Sequence, residues 1–464
     1  MHTKEKAKEA QGTIYSNADL KKLILPLIME QLLAILVGML DTVMISGVGE
    51  AAVSGVSLVD NINILVIQVF SALATGGAVV AGHALGQRRE EEAGRSAWQM
   101  VLFLLYASAV TTVVLLGAHK SILRAIFGQV EAGVMSSATT YLIITGLSIC
   151  PLALYNGCAA LFRAMGNSRI TMYISLLMNL LNLVGNATLI YGFKMGVAGA
   201  AISTTVSRTV AAVMIFCMLF QENRVIHFRG RVTARMNLGL IKRILYIGVP
   251  NGLENSLFQL GKILLLSLVS TFGTSAIAAN AVCGTIANFN ILPGMAINLA
   301  LLSVASYCIG AGDFEQTRFY TKKLMRLTNL CMIAVSVLMI VLCRVMLLLY
   351  HLTPETEELA VQVIRFHAFM CMFAWVPSFT LPNTLRAAGD VMWTMAISIV
   401  SMWVFRIGTA YFFSNVFHLG LIGIWIAMTI DWMFRGVCYW LRFGSGKWEK
   451  ALRKQDGYRR KADS

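Results

Sequence analysis

The amino-acid sequence predicts an all-α integral membrane protein whose twelve transmembrane helices form two similar six-helix bundles. Composition, the spacing of apolar runs and an internal repeat predict this fold. Hydrophobic residues make up 57% of the 464 residues and charged residues only 13%, and the mean hydropathy is +0.70. Soluble domains carry about 25% charged residues. The composition therefore indicates that lipid surrounds most of this chain.

Apolar runs recur along the whole sequence. A helix needs about 20 mostly apolar residues to cross the hydrocarbon core of a bilayer. Runs of this kind are found at about 23–46, 56–80, 97–117, 138–161, 170–191, 196–220, 244–270, 276–303, 324–349, 361–385, 394–414 and 419–443. Because six spans precede the second copy, both copies enter the membrane in the same orientation, and the repeat is parallel.

The repeat is visible in the residues that restrict or free the backbone. A shift of 224 positions places Pro26 on Pro250 and Gly49 on Gly273. A shift of 223 places Leu161-Phe-Arg-Ala-Met-Gly166 on Thr384-Leu-Arg-Ala-Ala-Gly389. Since glycine and proline mark special backbone geometry, these matches indicate two copies of one fold. Duplicated halves in a membrane protein are typical of transport by alternating access.

Charged connections divide the chain into four parts. The polar segment Gln221 to Arg243 is the long connection richest in charge. We therefore predict an N-terminal lobe with spans 1 to 6, a cytoplasmic interlobe linker, a C-terminal lobe with spans 7 to 12 and a basic cytoplasmic tail. The corresponding boundaries are 1–220, 221–243, 244–443 and 444–464.

The net charge is +15, and the distribution of the basic residues favours a membrane rather than nucleic acid as the partner. Lysine and arginine concentrate in one set of connections, at about 4–22, 88–95, 224–243, 318–326 and 442–461. This asymmetry follows the positive-inside rule and predicts that both termini are cytoplasmic. The N-terminus is too polar for a cleaved signal peptide. We expect a multi-pass protein of the plasma membrane, bacterial in type and monomeric.

Motifs for catalysis or cofactor binding are missing from the sequence. The nine cysteines lie mostly in apolar runs, without a Cys-x-x-Cys pair or histidines at metal-ligand spacing. The sequence has no phosphate-binding loop of the Gly-x-x-x-x-Gly-Lys-Ser/Thr type and no His-Glu-x-x-His or Gly-x-Ser-x-Gly motif. We therefore expect no enzyme activity, cofactor or resident metal, and an ion gradient as the source of energy for uphill transport.

Several polar residues interrupt the spans of the first half. Asp41 lies deep in span 1, Asp60 lies in span 2, and Asn179, Asn182 and Asn186 lie on one face of span 5. Ionisable groups in hydrocarbon cost at least about 2.5–3.5 kcal/mol and usually mark pathways or pairs. Asp41 is consistent either with a carboxylate that binds a proton or sodium ion, or with a structural carboxyl bonded by asparagines. Asp60 and Asn179 are candidates for the substrate cavity, although the asparagine face is also consistent with hydrogen bonding between helices.

The second half carries a different set of charges. Glu254 lies four residues after Pro250 and eight before Lys262, too far along the helix for Glu254 and Lys262 to pair directly. A proline frees a carbonyl one turn earlier, so Pro26 and Pro250 are candidate hinges. Because Glu30 occupies the equivalent position in the first half, Glu254 is consistent with either a cavity role or a structural one, and Lys262 is a further candidate for the substrate cavity.

Three further charged residues are grouped near the end of the second half. Asp431 and Arg435 are one turn apart on span 12, and Arg406 lies at comparable depth on span 11. This spacing favours an ion pair that joins two helices, although Asp431 stays a cavity candidate. In the first half, Arg208 aligns with Trp432 and is a candidate counter-charge for Asp41 or Asp60.

Taken together, these patterns resemble the multidrug and toxic compound extrusion (MATE) transporters over about residues 18–443. The resemblance rests on Pro26 followed fifteen residues later by Asp41-Thr-Val-Met-Ile, and on Gly47-Val-Gly49-Glu-Ala-Ala, Gly86, Leu161-Phe-Arg-Ala-Met-Gly166, Asn182, Asn186, Tyr191-Gly192 and Gly196-Val-Ala-Gly199-Ala-Ala.

The resemblance implies two six-helix bundles in a V-shaped arrangement and export of cationic or amphipathic small molecules, driven by protons or sodium. It implies that Asp41 couples to the cation, with Asn182 and Asn186 as polar partners and a possible sodium site nearby. Many relatives have a glutamate where this chain has Phe258, and some have an aspartate near Phe373-Ala-Trp375. These departures favour the first lobe as the coupling site.

A flippase for lipid-linked oligosaccharides or cell-wall precursors is the alternative function, because such proteins share the duplicated architecture. Their pyrophosphate substrates require a cavity rich in arginine and lysine. In this chain the basic residues within the spans are roughly matched by acidic ones. The sequence therefore favours an exporter of organic cations.

Overall fold

A computed structural model of the protein describes residues 13–128, 131–228, 232–350 and 352–449. Residues 450–464 of the predicted tail, the first twelve residues and three residues of the predicted linker lie outside the described residues. The rest of the chain is overwhelmingly helical, which confirms the predicted all-α class.

Twelve long helical segments follow one another within the described residues, six in each half of the chain. The first six are Asn17–Ser46, Glu50–Gly86, Glu90–Gly117, Ala132–Gly146 with Ile149–Ala164, Ser168–Asn186 continued by the π-helical turn Ala187–Gly192, and Gly196–Met218. The second six are Leu238–Ser270, Thr274–Gly310, Phe314–Leu347, Pro354–Met370 continued in short pieces to Ala387, Val391–Val400 continued to Asn415, and Gly420–Gly444.

Most of these segments are long and apolar enough to cross a membrane. Ten described helices meet that criterion alone, and the Ala132–Gly146 and Ile149–Ala164 helices meet it as a pair bent by 50°. This bent pair covers the predicted span at 138–161, and its helix breaks at Leu147 and Ser148. The Leu238–Ser270 helix is long enough but does not meet the criterion for apolar character, since polar residues such as Glu254 lower its mean hydropathy.

The backbone confirms the internal duplication. Residues other than glycine avoid positive φ because the left-handed conformation costs about 1–2 kcal/mol. The described chain nevertheless has this conformation at matching places in both halves, including three residues that carry side chains. The matching pairs are Gly49 and Gly273, Arg88 and Gly312, Lys194 and His418, and Gly196 and Gly420, each 224 residues apart, together with Gly166 and Gly389.

Internal packing divides the described chain into two compact units. One unit contains Leu25–Gly252, and the other contains residues 13–24 together with residues from 253 onward. Each unit therefore takes part of the first long helix and part of the Leu238–Ser270 helix. We call these units the first and the second unit below.

The polar linker is anchored to the first unit. Trp98 donates its indole N–H to the carbonyl of Thr233 at 2.8 Å, and the Gln99 amide donates to the carbonyl of Arg235 at 3.1 Å. The backbone N–H of Asn237 in turn donates to Gln99 at 2.8 Å. These bonds satisfy polar backbone groups that a connection without secondary structure would otherwise leave open.

An equivalent buried carboxylate joins helices within each unit. In the first unit, Glu30 lies 3.5 Å from Arg163 and accepts a hydrogen bond from Thr171 at 2.8 Å. In the second unit, Glu254 lies 2.7 Å from Arg386, and Ser398 donates to it at 2.6 Å. The arginines are those of the two aligned Leu-Phe-Arg-Ala and Thr-Leu-Arg-Ala motifs. The repeat therefore preserves a buried Glu–Arg pair.

Candidate functional site

A cavity of about 150 Å³ lies inside the first unit. Two carboxylates and one guanidinium group line it, together with neutral oxygen atoms and small apolar side chains. The lining residues are Gly38, Asp41, Thr42, Ile45, Val53, Val56, Ser57, Asp60, Tyr141, Asn186, Ala200, Thr204 and Arg208. The structure thus brings together four of the predicted site residues, from four different helices.

Asp41 is the most densely bonded carboxylate of this cavity. The side-chain amide of Asn186 donates to Asp41 Oδ1 at 2.8 Å. With its amide nitrogen facing Asp41, Asn182 donates to Oδ1 and Oδ2 at 2.8 and 3.1 Å, and its oxygen accepts from Thr204 at 3.1 Å. The Asn186 oxygen is buried and has no hydrogen-bond partner among the described residues. Its acceptor capacity is therefore unused among the described residues.

Close packing holds the two asparagines against Asp41. The Ser203 hydroxyl donates to the carbonyl of Asn182 at 2.7 Å, and a Cβ atom on Gly185 would lie only 2.3 Å from that hydroxyl oxygen. Only glycine permits such a close approach of the two helices. At the end of the same helical segment, Tyr191 donates to the carbonyl of Met44 at 3.1 Å, near Asp41 on the first helix.

Asp60 and Arg208 form the other charged part of the cavity. Asp60 interacts with Tyr141 and Asn63. Arg208 interacts electrostatically with Asp41 and Asp60 and donates to the Ser148 hydroxyl at 2.9 Å. Ser148 lies at the break between the two bent helices. Arg208 thus lies among the two aspartates, and its role as a counter-charge for Asp41 or Asp60 stays a prediction.

The charges of the cavity sum to one negative charge, from two aspartates and one arginine. A cavity with low-dielectric walls concentrates such a field and attracts cations. Carboxylate and amide oxygens are also the ligands that hard cations prefer. The first-unit cavity is therefore suited to a proton, a sodium ion or the charged group of an organic cation.

The remaining predicted residues lie elsewhere. Asn179 is on the helix of Asn182 but outside the cavity lining, and its amide nitrogen is buried without a hydrogen-bond partner among the described residues. Glu254, Lys262 and Asp431 belong to the second unit. Within the described residues, no three His, Cys, Asp or Glu side chains are grouped as a metal site.

The predicted ion pair of the second unit is present. Asp431 lies 3.3 Å from Arg435 and 3.7 Å from Arg406, and all three side chains are almost completely buried. Pro26 and Pro250 lie inside helices that continue through them. Their role as hinges stays a prediction.

Sequence reasoning missed several partners. Tyr141 and Thr204 line the cavity, but hydroxyl groups in apolar helices are too common to single out. Arg163 and Arg386 pair with the two equivalent glutamates. Because both members of each pair are copied by the repeat, alignment of the two halves could have identified this pairing.

This fold and site define the class of the protein as an integral membrane transporter. The sequence model of the MatE family matches the chain twice, at residues 26–188 and 250–412. The chain belongs to the MatE family. The two matches are offset by 224 residues, the same shift that relates the glycine and proline positions.

Curated relatives match along almost the entire chain. A protein of Thermotoga maritima named probable multidrug resistance protein NorM is 27% identical over 439 residues, which cover 93% of each chain. The Bacillus subtilis protein named uncharacterized transporter YisQ is 27% identical over 432 residues, covering 91% of this chain and 93% of that protein. This protein is thus similar over nearly its full length to bacterial transporters.

Solved structures share the fold. A crystal structure of MATE in complex with MaL6 has a TM-score of 0.88 and 20% identity, covering 96% of this chain and 99% of that one. A MOP superfamily transporter from Pyrococcus furiosus, described as having a binding pocket of reverse polarity, has a TM-score of 0.87 and 20% identity, covering 96% and 98%. At this identity the likeness establishes the fold alone.

Proposed function

We propose that the protein is a cation-coupled secondary antiporter that exports cationic or amphipathic small molecules by alternating access. The observation that carries this proposal is the first-unit cavity, where Asp41 accepts hydrogen bonds from Asn182 and Asn186. Family membership and relatives named as multidrug resistance proteins support the substrate class. The positive-inside pattern supports a plasma membrane location with both termini in the cytoplasm.

Coupling follows from the bonds that join Asp41 to a neighbouring helix. An ionised carboxylate accepts hydrogen bonds from both asparagine amides, whereas a protonated one has less accepting capacity. A sodium ion would instead be coordinated by the Asp41 carboxylate and by the unpartnered side-chain oxygen of Asn186. In either case the coupling ion changes the contact between the first helix and the Ser168–Asn186 helix. A ligand moves a conformational equilibrium only through such a difference between states.

Substrate and coupling ion compete for the same negative charge in this proposal. An organic cation bound near Asp41 and Asp60 is released when a proton or sodium ion neutralises the site. The exchange converts an ion gradient into export without a nucleotide. The net negative cavity also disfavours the flippase alternative, because a pyrophosphate group is repelled by two carboxylates.

The test is gradient-driven uptake of a fluorescent organic cation into liposomes that contain the purified protein. Imposed proton and sodium gradients are compared for the wild type, Asp41→Asn and the control Asp19→Asn. Asp19 is an exposed carboxylate on the same helix, bonded to Ser16. We expect transport that follows one gradient in the wild type and Asp19→Asn, and background transport in Asp41→Asn. Full coupled transport by a folded Asp41→Asn protein would contradict the proposal.

A further inference from the structure

The second unit contains a buried group of cations that its single neighbouring carboxylate does not balance. Arg406 and Arg435 both contact Asp431, at 3.7 and 3.3 Å. Among the described residues, Asp431 is the carboxylate in ion-pair contact with these arginines. Two guanidinium groups and one carboxylate leave one net positive charge. Arginine stays protonated in proteins, so this charge cannot be removed by titration.

A third cation lies beside the same aromatic ring. The guanidinium groups of Arg406 and Arg435 lie 4.9 and 5.6 Å from the centre of the Phe258 ring. The Lys262 amine lies 5.4 Å from that centre. The face of an aromatic ring attracts cations but carries no net charge, so Phe258 does not neutralise the group.

Several N–H groups in this region lack acceptors. Arg406 Nε, Arg435 Nη2 and the Trp432 indole nitrogen are buried and have no hydrogen-bond partner among the described residues, whereas Arg435 Nε lies 3.3 Å from Asp431 Oδ1. Asp431 Oδ2 is also without a hydrogen-bond partner, and a small shift would let it accept from one of these three donors. At least two donors then stay open. Buried donors next to a net positive charge are complementary to an anion.

The internal repeat shows that the second-unit positions correspond to the cation site of the first unit. At the shift of 224 that relates the two family matches, Arg406 replaces Asn182 and Lys262 replaces Gly38. Leu265 likewise stands where the first unit has Asp41. The second copy has thus lost the coupling carboxylate and gained two cations at equivalent positions.

We propose that the second unit binds a small monovalent anion, either chloride or a carboxylate group, between Arg406, Arg435 and the indole N–H of Trp432. The anion supplies the missing counter-charge and accepts the open donors. The site is distinct from the Asp41 cavity, since its residues belong to the second unit.

The experiment measures the thermal midpoint of the purified, full-length protein at constant sodium. Gluconate is replaced stepwise by chloride or by formate, and gluconate serves as an anion too large for the buried site. We expect a saturable rise in the midpoint with chloride. A rise with formate as well identifies a site that also accepts carboxylates. No difference from gluconate with either anion overturns the proposal.

Variants separate specific binding from a general effect of salt. Arg406→Gln removes one positive charge from the group and should weaken the apparent anion affinity by at least about tenfold, since a charge-assisted bond is lost. Asp431→Asn removes the competing carboxylate and should tighten it. If Arg406→Gln does not fold, Trp432→Phe removes one donor with little change in volume and should weaken the affinity by roughly threefold. Equal chloride responses in the wild type and all folded variants would overturn the proposal.

Discussion

The two units of this protein share a scaffold but have opposite polarity where ligands are expected. Both keep a buried Glu–Arg pair and the same positive-φ positions. The first unit then places Asp41 and Asp60 around a cavity, whereas the second has Arg406 and Arg435 around one carboxylate. Duplication therefore fixed the architecture, while substitutions at a few equivalent positions changed the chemistry of each copy.

The largest effects on stability are expected when the two equivalent buried glutamates, Glu30 and Glu254, are replaced. Glu254→Gln leaves Arg386 buried without its partner and should destabilise the protein by about 3 kcal/mol. Glu30→Gln should cost about 1–2 kcal/mol, because the contact of Glu30 with Arg163 is longer, 3.5 Å against 2.7 Å. Thermal midpoints of the two purified variants measure the difference. A larger loss in Glu30→Gln would contradict this comparison of the two pairs.

The difference in polarity can be tested by transferring one residue between the copies. Gly38 and Lys262 are equivalent positions of the repeat. The substitution Gly38→Lys therefore introduces into the first-unit cavity the lysine that the second unit has at this position. A Cβ atom on Gly38 meets no atom within 4 Å, so the change adds a charge without a clash at that position. The cavity becomes neutral, and coupled export of an organic cation should fall by more than about tenfold.

The neutral variant Gly38→Gln is the matched control for this transfer. It has a side chain of similar length without the charge, and it should keep most of the export activity. Export is measured in the same liposome assay. Equal activity of Gly38→Lys and Gly38→Gln would show that the charge of the cavity does not determine cation transport.

The smallest effects are expected at equivalent glycines with positive φ. Gly196 and Gly420 both have φ near 55°, a conformation that costs a residue with a side chain about 1–2 kcal/mol. Alanine at either position should lower stability by about that amount. Gly196→Ala should be slightly worse, because its Cβ atom would approach Val48 to 3.3 Å, whereas Gly420 has open space. Thermal midpoints of both variants check this order.

Much of the fold follows from local properties of the sequence. Long apolar runs require helices in a bilayer, because each backbone polar group must be bonded within its own segment. The repeat of glycines then predicts that the halves are alike. The break at Leu147 and Ser148 has a local signal, because Pro151 has no N–H to donate to the carbonyl of Leu147. The bond that Arg208 donates to Ser148 has no such signal and is visible only in the folded chain.

The candidate site was predictable only in part, for a similar reason. Asp41, Asn182 and Asn186 stand out because polar side chains are costly in hydrocarbon. Tyr141 and Thr204 have neutral hydroxyl groups that apolar helices tolerate, so only the folded chain shows that they line the cavity. The unbalanced charge near Arg406 also required the structure, since the sequence alone gives the total charge but not the partners.

The most direct test of the central claim is one binding measurement applied to both sites. Thermal midpoints of the wild type, Asp41→Asn and Arg406→Gln are recorded against proton or sodium concentration and, separately, against chloride. The account predicts that Asp41→Asn loses only the response to the cation and that Arg406→Gln loses only the response to chloride. If either folded variant lost both responses, or kept both, the assignment of opposite polarities to the two units would be contradicted.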